Sequence, residues 1–353
     1  MTNTMEVNGR TLGPGRPTYI IAEMSANHSQ EIDQAISIIH AAKEAGADAI
    51  KLQTYTADTM TIDCDKECFQ IGKGTVWEGR SLYDLYGDAY TPWEWQPKLM
   101  EVAAELNMDL FSTPYDFTAL DFLMDMNVPV IKIASFENVD IPLIRKIAET
   151  GKPIIMSTGM ATLAEIDEAV QAVRDAGGTQ LSLLKCTSSY PAPPDEMNLR
   201  AIPHLEQSYG VPIGLSDHRL STSVPVAAVA LGACIIEKHL TISRDEPGPD
   251  SGFSLEPHEF KAMVDGIRAT EQALGSVRYG PNKREAHSVA FRRSLFVVED
   301  MKEGDTFNDK NVRSIRPSNG LHPRHIGDVI GRTASGDIER GTPVSWKLLG
   351  GAS

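Results

Sequence analysis

The sequence predicts a (β/α)8 barrel of the TIM type, followed by a small, mostly β domain. Between Thr18 and about Leu274, short apolar strands alternate with amphipathic helices. The alternation recurs eight times in about 250 residues, which is the count that such a barrel requires. After Leu274 the alternation ends, and short strand-like segments separated by turns follow. A doubly wound open sheet is the alternative, but no Gly-x-Gly-x-x-Gly motif follows the first predicted strand.

The predicted barrel strands are short apolar runs, and helical patterns fill the gaps between them. The strands are Tyr19–Ala22, Ala49–Leu52, Asp109–Phe111, Val130–Ile133, Ile154–Met156, Leu181–Leu184, Pro212–Leu215 and Ala233–Ile236. The clearest helices are Ile32–Ala45, Trp95–Leu106, Ala164–Ala176 and Pro257–Leu274. The small aliphatic run Val224–Leu231 predicts a further helix, and a buried one. Glycine follows two of these helices, at Gly46 and Gly177, as expected where a helix ends.

These patterns divide the chain into a barrel domain at 1–280, a linker at 281–290 and a second domain at 291–353. The strands predicted in the second domain are Ser294–Val298, Val312–Ile315 and Pro343–Leu348. A long insertion, Tyr55–Pro92, lies between the second barrel strand and its helix, and it is rich in aromatic residues and glycine. Two interpretations of the insertion are open: a lid packed by its own aromatic side chains, or a wall of a ligand pocket.

Composition excludes several classes of partner. The chain has 353 residues, 41% of them hydrophobic and 23% charged, with a formal net charge of −15. This acidity argues against nucleic acid or an anionic membrane surface as a partner. Residues 1–16 contain no apolar segment typical of a secretory signal, and no apolar run reaches the ~20 residues of a membrane span, so a cytoplasmic location is expected.

The four cysteines, Cys64, Cys68, Cys186 and Cys234, form no Cys-x-x-Cys motif. Free thiols are therefore expected. A redox pair or a metal site at Cys64 and Cys68 is the alternative.

Polar side chains follow almost every predicted strand, where a barrel carries its chemistry. His218 and His239 follow neighbouring strands, so they are expected to emerge side by side. Two neutral imidazoles with an open side predict a divalent-metal site that keeps positions free for substrate; two unrelated histidines are the alternative. Lysines at strand ends, Lys51, Lys132 and Lys185, are not explained by helix capping, because an unpaired buried charge is costly.

Short motifs along nearly the whole chain resemble the sialic acid synthase family. They are IAEMSANH, KLQTYTADTM, FSTPYD, KIASFEN, STGMA, LLKCTSSYPAP, GLSDH, EKHLT, PGPDSGFSLEP, FRRSL and RPSNG. The resemblance implies a TIM barrel followed by an antifreeze-like (SAF) domain, and a transferase that joins phosphoenolpyruvate to an amino-sugar aldehyde. Two stretches, SLYDLYGDAYTPWEWQPKL and SGFSLEP, resemble the branch that makes pseudaminic acid. The N-acetylneuraminate and legionaminate branches are the alternatives.

The resemblance also implies a role for each matching residue. A divalent cation, expected to be Mn2+ with Mg2+ or Co2+ as alternatives, would bind His218 and His239. The residues implied to hold phosphoenolpyruvate are Lys51, Gln53, Lys132, Ser135, Ser157, Ser188 and Ser216. Those implied to face the sugar or the reacting carbons are Glu23, Asn27, Glu137, Tyr190 and Asp250, with Glu23 or Glu137 steering a water. Arg316 would reach the site from the partner subunit of a domain-swapped homodimer.

Two other functions remain open at this point. One is a metal-dependent aldolase or isomerase that uses a keto acid on the same barrel. The other is a non-catalytic, sugar-binding barrel. For the synthase, a pocket rimmed by Trp93, Trp95 and Phe253 is predicted to favour a methyl group at C6 of the sugar over a hydroxyl.

Overall fold

The computed structural model describes residues 3–72, 77–246 and 248–352. They fall into two compact units, Met1–Gly275 and Ser276–Ser353, each with its own apolar core. The first unit opens with a hairpin of strands β1 (Met5–Val7) and β2 (Arg10–Leu12). Asn8 in its turn donates to Asp109 Oδ1 at 2.6 Å. Because Asp109 begins a barrel strand, the hairpin lies at the amino-terminal end of the barrel.

Eight parallel strands close into a barrel in the first unit, as predicted. They are β3 (Tyr19–Glu23), β4 (Ala49–Thr54), β5 (Asp109–Pro114), β6 (Ile131–Ile133), β7 (Ile154–Ser157), β8 (Leu181–Cys186), β9 (Ile213–Asp217) and β10 (Ile235–His239). Strand β10 pairs with both β9 and β3 and so closes the ring. The strands are buried on both faces, which explains their continuous apolar runs.

Most strands extend two or three residues beyond their predicted carboxyl ends. Strand β4 continues to Thr54, β9 to Asp217 and β10 to His239. Parallel pairing continues through these polar residues because their side chains find partners inside the barrel mouth or behind it. The polar groups predicted to follow the strands are therefore held by the sheet itself.

Ten helices in the described part of this unit connect and flank the strands. They are α1 (Ile32–Glu44), α2 (Ala57–Met60), α3 (Leu82–Ala89), α4 (Gln96–Glu105), α5 (Phe117–Asp125), α6 (Ile141–Glu149), α7 (Leu163–Asp175), α8 (Ala201–Tyr209), α9 (Ser223–Ala230) and α10 (Pro257–Leu274). Local chemistry sets several ends: Thr162 and Glu165 form a capping box on α7, and Gly210 ends α8 at φ +64°.

Helix α9 corrects one prediction. The run Val224–Leu231 does form a helix, but only one of its faces is buried, through Pro225, Ala228 and Val229. Leu231 just beyond it is 38% exposed. An all-aliphatic run hides this asymmetry because its two faces have the same composition.

The second unit contains two antiparallel strand pairs. Strand β11 (Ser294–Val297) pairs with β12 (Val312–Ile315), and β13 (Arg332–Ala334) pairs with β14 (Leu349–Ala352). A short helix, α11 (Ile326–Val329), precedes β13. The linker at 281–290 stays a prediction.

The strand predicted at Pro343–Leu348 is wrong. Pro343 forms one isolated bridge with Phe296, and Trp346–Leu348 is a 3-10 helix. The Val297 N–H donates to the Thr342 carbonyl and the Val344 N–H to the Leu295 carbonyl, so pairing continues on both sides of Pro343. It ends because the chain then turns into the 3-10 helix, and strand β14 begins after this segment.

None of the helices in residues 3–72, 77–246 and 248–352 combines the length and the apolar character that a membrane crossing requires. The four cysteines are free thiols, as expected.

Gly214 of β9 lies where the barrel leaves no room for a larger side chain. A methyl group at this position would lie 2.4 Å from the Ile235 carbonyl oxygen and 2.5 Å from Leu184 Cδ2. Gly214→Ala is therefore expected to reduce the free energy of unfolding by about 1–3 kcal/mol, measured by denaturant titration. The control is Gly87→Ala in helix α3, where the added methyl meets no atom within 4 Å. Because alanine favours a helix more than glycine does, this change should raise the free energy of unfolding by up to about 1 kcal/mol. Equal effects of the two changes would contradict this account.

Candidate active site

A cavity of about 490 Å³ opens at the carboxyl ends of the barrel strands, within the size range of small-ligand sites. Every barrel strand contributes a residue to its lining or is followed by one; after β5 this residue is Tyr115. The polar lining residues are Glu23, Ser25, Lys51, Gln53, Lys132, Ser135, Glu137, Ser157, Ser216, His218, Glu237, His239 and Asp250. The cavity therefore collects most of the residues that the sequence selected.

A network of buried charges occupies the floor of the cavity. Lys51 Nζ lies 2.5 Å from Glu23 Oε2 and 3.8 Å from Glu237 Oε1. Lys132 Nζ lies 3.1 Å from the same Glu237 oxygen. All four side chains are at most 6% exposed. Two ammonium groups and two carboxylates thus neutralise one another in a site that water hardly reaches.

Burial and pairing shift the pKa of each member of this network. Burial, reinforced by the charge of Glu237, raises the pKa of Glu23 to about 7 although Lys51 opposes the shift. Burial also works against ionisation of Glu237, yet Lys132 and Lys51 hold its pKa below the usual value. Burial lowers the pKa of Lys132, whereas the two carboxylates raise that of Lys51 despite its burial.

The two histidines face each other above this network. Their ring centroids are 5.3 Å apart, and both side chains are buried. The Nδ1 atom of His218 lies 3.0 Å from the Thr187 carbonyl oxygen, which leaves its Nε2 toward the cavity side of the ring. His239 Nδ1 is buried and has no hydrogen-bond partner among the described residues. The prediction that these rings emerge together is confirmed.

These two imidazoles fit a divalent cation. Burial, followed by the nearby positive charges of His218 and Lys51, lowers the pKa of His239 well below its usual value, so its ring is neutral, as a metal ligand must be. For His218, the Cys186 thiol and the Thr187 carbonyl raise the pKa despite burial. In the part of the chain that the structure describes, no three His, Cys, Asp or Glu side chains converge on one point. Two protein ligands leave positions that substrate or water would fill.

Short polar side chains surround the lysines. Gln53 donates to Glu23 Oε1 and to Ser25 Oγ, both at 3.1 Å. Ser216 donates to Glu237 Oε1 at 3.3 Å, and Ser135 Oγ accepts the Gly159 N–H at 3.1 Å. With Ser157, which also lines the cavity, they offer the hydroxyl and amide donors that phosphate and carboxylate groups need.

Three further predicted residues line the same space. Glu137 lies beside Ser135, and burial raises its pKa to about 7; its Oε2 has no hydrogen-bond partner among the described residues. Asp250 accepts a hydrogen bond from Ser25, and burial raises its pKa. Tyr190 packs on the His218 ring with centroids 4.4 Å apart.

The insertion between β4 and α4 forms one wall of the cavity, and it is also packed by its own aromatic rings. Its lining residues are mostly apolar: Tyr55, Met60, Ile71, Trp77, Leu82, Leu85, Tyr86 and Ala89. Tyr55 contacts Tyr86 edge-to-face with centroids 5.7 Å apart. For residues 55–72 and 77–92, the insertion is therefore both packed by its own aromatic side chains and a wall of the pocket.

The predicted aromatic rim needs correction. Phe253 lines the cavity, but Trp93 and Trp95 do not. Trp93 packs on Phe122 with ring centroids 5.0 Å apart, and Trp95 packs against the barrel core and His28. Helix α4 begins directly after them, so both rings face the barrel wall instead of its mouth.

Three other predicted residues of the barrel unit lie outside the cavity lining. The Asn27 amide nitrogen donates to the Leu240 carbonyl at 3.0 Å and to Ser254 Oγ at 2.9 Å and so joins loops, while its Oδ1 is buried without a hydrogen-bond partner among the described residues. Ser188 contacts Cys186 Sγ at 3.7 Å. Lys185 Nζ turns back to the Cys186 carbonyl at 2.6 Å.

Arg316 belongs to the second unit. There it lines a cleft of about 580 Å³ with Arg292, Arg293 and His322.

Sequence reasoning missed Glu237 and Cys186. Glu237 pairs with both lysines, and it lies two residues before His239 on β10, so strand alternation places the two side chains on one face. Cys186 ends β8 inside the cavity beside His218, whose positive charge lowers the pKa of the thiol to about 7 although burial opposes this. For both residues, the alternation of side chains along the strand was the sequence signal that could have placed them in the cavity.

Comparison with known proteins agrees with this geometry. The NeuB family pattern matches residues 38–279, and the SAF domain pattern matches residues 292–350. The chain is 42% identical over 332 residues to the pseudaminic acid synthase of Helicobacter pylori, covering 94% of this chain and 97% of that protein. It is 44% identical over 326 residues to the pseudaminic acid synthase of Campylobacter jejuni serotype O:23/36, covering 92% and 95%.

A solved structure extends the similarity to the fold. It is the N-acetylneuraminic acid synthetase from Leptospira borgpetersenii, with a TM-score of 0.73 and 32% identity over 82% of this chain and 96% of that chain. The resemblance predicted from the motifs is confirmed, as are the TIM barrel and the SAF domain that follows it. The chain belongs to the NeuB family and is a transferase of the phosphoenolpyruvate-dependent nonulosonic acid synthase class.

Proposed function

We propose that this transferase condenses phosphoenolpyruvate with the open-chain form of 2,4-diacetamido-2,4,6-trideoxy-β-L-altropyranose to give pseudaminic acid and phosphate. The observation that carries the proposal is the cavity itself, in which paired lysines and facing imidazoles lie beneath an apolar wall. The relatives at 42% and 44% identity are named pseudaminic acid synthases, which supports this sugar over those of the sister branches.

Phosphoenolpyruvate carries a phosphate and a carboxylate, and the cavity floor offers groups for both. Lys51 and Lys132 supply the charge, and Gln53, Ser135, Ser157 and Ser216 supply neutral donors; that is the set that we assign to this substrate. Ammonium groups in a buried site interact with anions more strongly than they would in water. Ser188 lies beside this set, with its hydroxyl 3.7 Å from the Sγ of the cavity residue Cys186.

His218 and His239 would hold the divalent cation, with Mn2+ expected. When bound, the cation supplies Lewis-acid polarisation of the sugar aldehyde. The protein orients the reactants: the methylene carbon of phosphoenolpyruvate attacks the aldehyde carbon, and positive charge develops at the carbon that bears the phosphate ester. Buried carboxylates of Glu23 and Glu237 stabilise that charge.

The aldehyde oxygen takes up a proton and becomes a hydroxyl, and water adds to the charged carbon and gives up a proton. The bond between that carbon and the phosphate oxygen of the tetrahedral centre then breaks, which releases phosphate and leaves the 2-keto acid. We assign the water-steering role to Glu137 or Glu23, because both line the cavity and burial brings the pKa of each to about 7. Tyr190 and Asp250 would face the sugar.

The metal assignment predicts the effect of removing one imidazole. His218→Ala is expected to reduce phosphate release by at least about 1,000-fold, because polarisation of the aldehyde contributes several kcal/mol. The matched control is His258→Ala, whose side chain is 76% exposed and outside the cavity. Phosphate release is measured with both substrates at saturation, and circular dichroism checks the fold. Full activity of His218→Ala, retained after chelation, would contradict the assignment.

The apolar wall predicts a preference at C6 of the sugar. The 6-deoxy substrate should exceed its 6-hydroxy counterpart in kcat/KM by roughly 10- to 100-fold, the range for one group in an apolar pocket. Ile71→Asn should reduce this ratio by about 10-fold. Ile62→Asn, in the same insertion but 58% exposed and outside the lining, should leave it unchanged. Equal turnover of N-acetylmannosamine by the unmodified protein would count against the pseudaminate substrate.

We also propose a domain-swapped homodimer in which Arg316 reaches the cavity of the partner subunit. Exposed apolar residues follow strands β5, β6 and β7 at the end where the cavity opens, and a second copy would cover them: Phe117, Phe136, Val139, Met160 and Leu163. The basic cleft around Arg316 has the charge to meet an anionic substrate.

Subunit mixing tests this arrangement. Arg316→Ala and His218→Ala are each expected to be nearly inactive alone. Unfolded and refolded together in equal amounts, they should regain about a quarter of wild-type phosphate release, since half of the dimers are mixed and each has one intact site. Size-exclusion chromatography confirms that the mixture is dimeric. No recovery in a dimeric mixture would refute the swapped arginine.

A further inference from the structure

Each candidate metal-binding histidine is preceded by a buried charged residue that faces away from the cavity. Asp217 is the last residue of β9 and directly precedes His218, and Lys238 precedes His239 on β10. Successive side chains of a strand point to opposite faces, so this pair lies behind the sheet when the histidines face the cavity. Asp217 and Lys238 are direct cross-strand partners, and neither side chain is exposed at all.

The Lys238 ammonium connects the two strands at the point where the histidines emerge. Its Nζ donates to Asp217 Oδ2 at 2.5 Å, to the Arg219 carbonyl oxygen and to the Ser221 carbonyl oxygen at 3.5 Å. Asp217 Oδ1 in turn accepts the Arg219 N–H at 3.1 Å. Among the described residues, every acceptor of Lys238 therefore belongs to 217–221, the segment that carries His218.

Stability alone is a weak reason for such a pair. Moving two charges out of water is costly, and apolar residues of similar volume often stabilise a protein as well as a buried ion pair does. What an apolar pair lacks is direction: Lys238 has three donors aimed at three acceptors on the neighbouring segment. The geometry it imposes acts on the main chain on both sides of His218.

We propose that the Lys238–Asp217 pair is a positioning device that fixes the separation and orientation of His218 and His239, and so sets the affinity of this site for a divalent cation. The inference rests on the metal site of the proposed function. It assigns no contact with substrate or metal to either residue; both act through the histidines.

Binding of Mn2+ alone to the full-length protein tests the proposal. Electron paramagnetic resonance of free Mn2+ gives the Kd without substrate or turnover. Lys238→Met should raise this Kd by roughly 10- to 100-fold, the range seen when groups that orient metal ligands are removed. Lys261→Met is the matched control: it breaks the exposed Lys261–Asp265 pair of α10 and should leave the Kd unchanged.

A double variant separates positioning from stability. Lys238→Met leaves Asp217 buried and unpaired, so its Tm should fall; adding Asp217→Asn removes that charge and should restore much of the Tm. The proposal requires that the double variant still binds Mn2+ weakly. If Lys238→Met is too unstable to purify, the double variant carries the test.

The results that would overturn the positioning role differ from those that would overturn the metal site itself. Wild-type Mn2+ affinity in Lys238→Met, or affinity that returns together with Tm in the double variant, would overturn the positioning role and leave the metal site intact. If the unmodified protein binds Mn2+ no better than His218→Ala does, the metal site of the proposed function is wrong, and this inference falls with it.

Discussion

The structure depends on charge balance inside the closed barrel. Lys51 and Lys132 can remain ionised in a site from which water is nearly excluded only because Glu23 and Glu237 lie within ion-pair distance. Closure of the barrel between β10 and β3 brings the two glutamates together, since His239 and Glu23 are register partners across that seam. The network thus links the fold to the chemistry, because an open sheet would separate its halves.

The cavity is divided by chemistry as well as by position. Strand ends supply charged and polar groups on the floor, whereas the insertion after β4 supplies mainly apolar ones on the wall. Loops tolerate changes that strands in a closed barrel do not, because loop residues are not constrained by register. The division therefore separates the charged residues held by the strands from the apolar residues held by the insertion.

At the carboxyl ends of strands β9 and β10, successive side chains alternate between the cavity and the layer behind the sheet, and each direction has its own role. Odd-numbered Glu237 and His239 face the cavity, while Lys238 between them faces the buried layer behind the sheet and pairs with Asp217. A single strand end thus carries a ligand-facing row and a supporting row. Rigid elements hold side chains more closely than loops do, and the two facing histidines lie at the ends of such elements.

The amino-acid sequence by itself determined the eightfold alternation of strands and helices and the family, because periodicity and motifs are local properties. It also determined that His218, His239 and the lysines lie at strand ends. Only the tertiary structure decided which side chains meet. Glu237 became the partner of both lysines, Asn27 and Lys185 turned away, and the pocket wall came from Ile71 and its neighbours instead of Trp93 and Trp95. Strand alternation predicts the face on which a side chain such as that of Glu237 lies, but its partners depend on barrel closure, which no short stretch of sequence encodes.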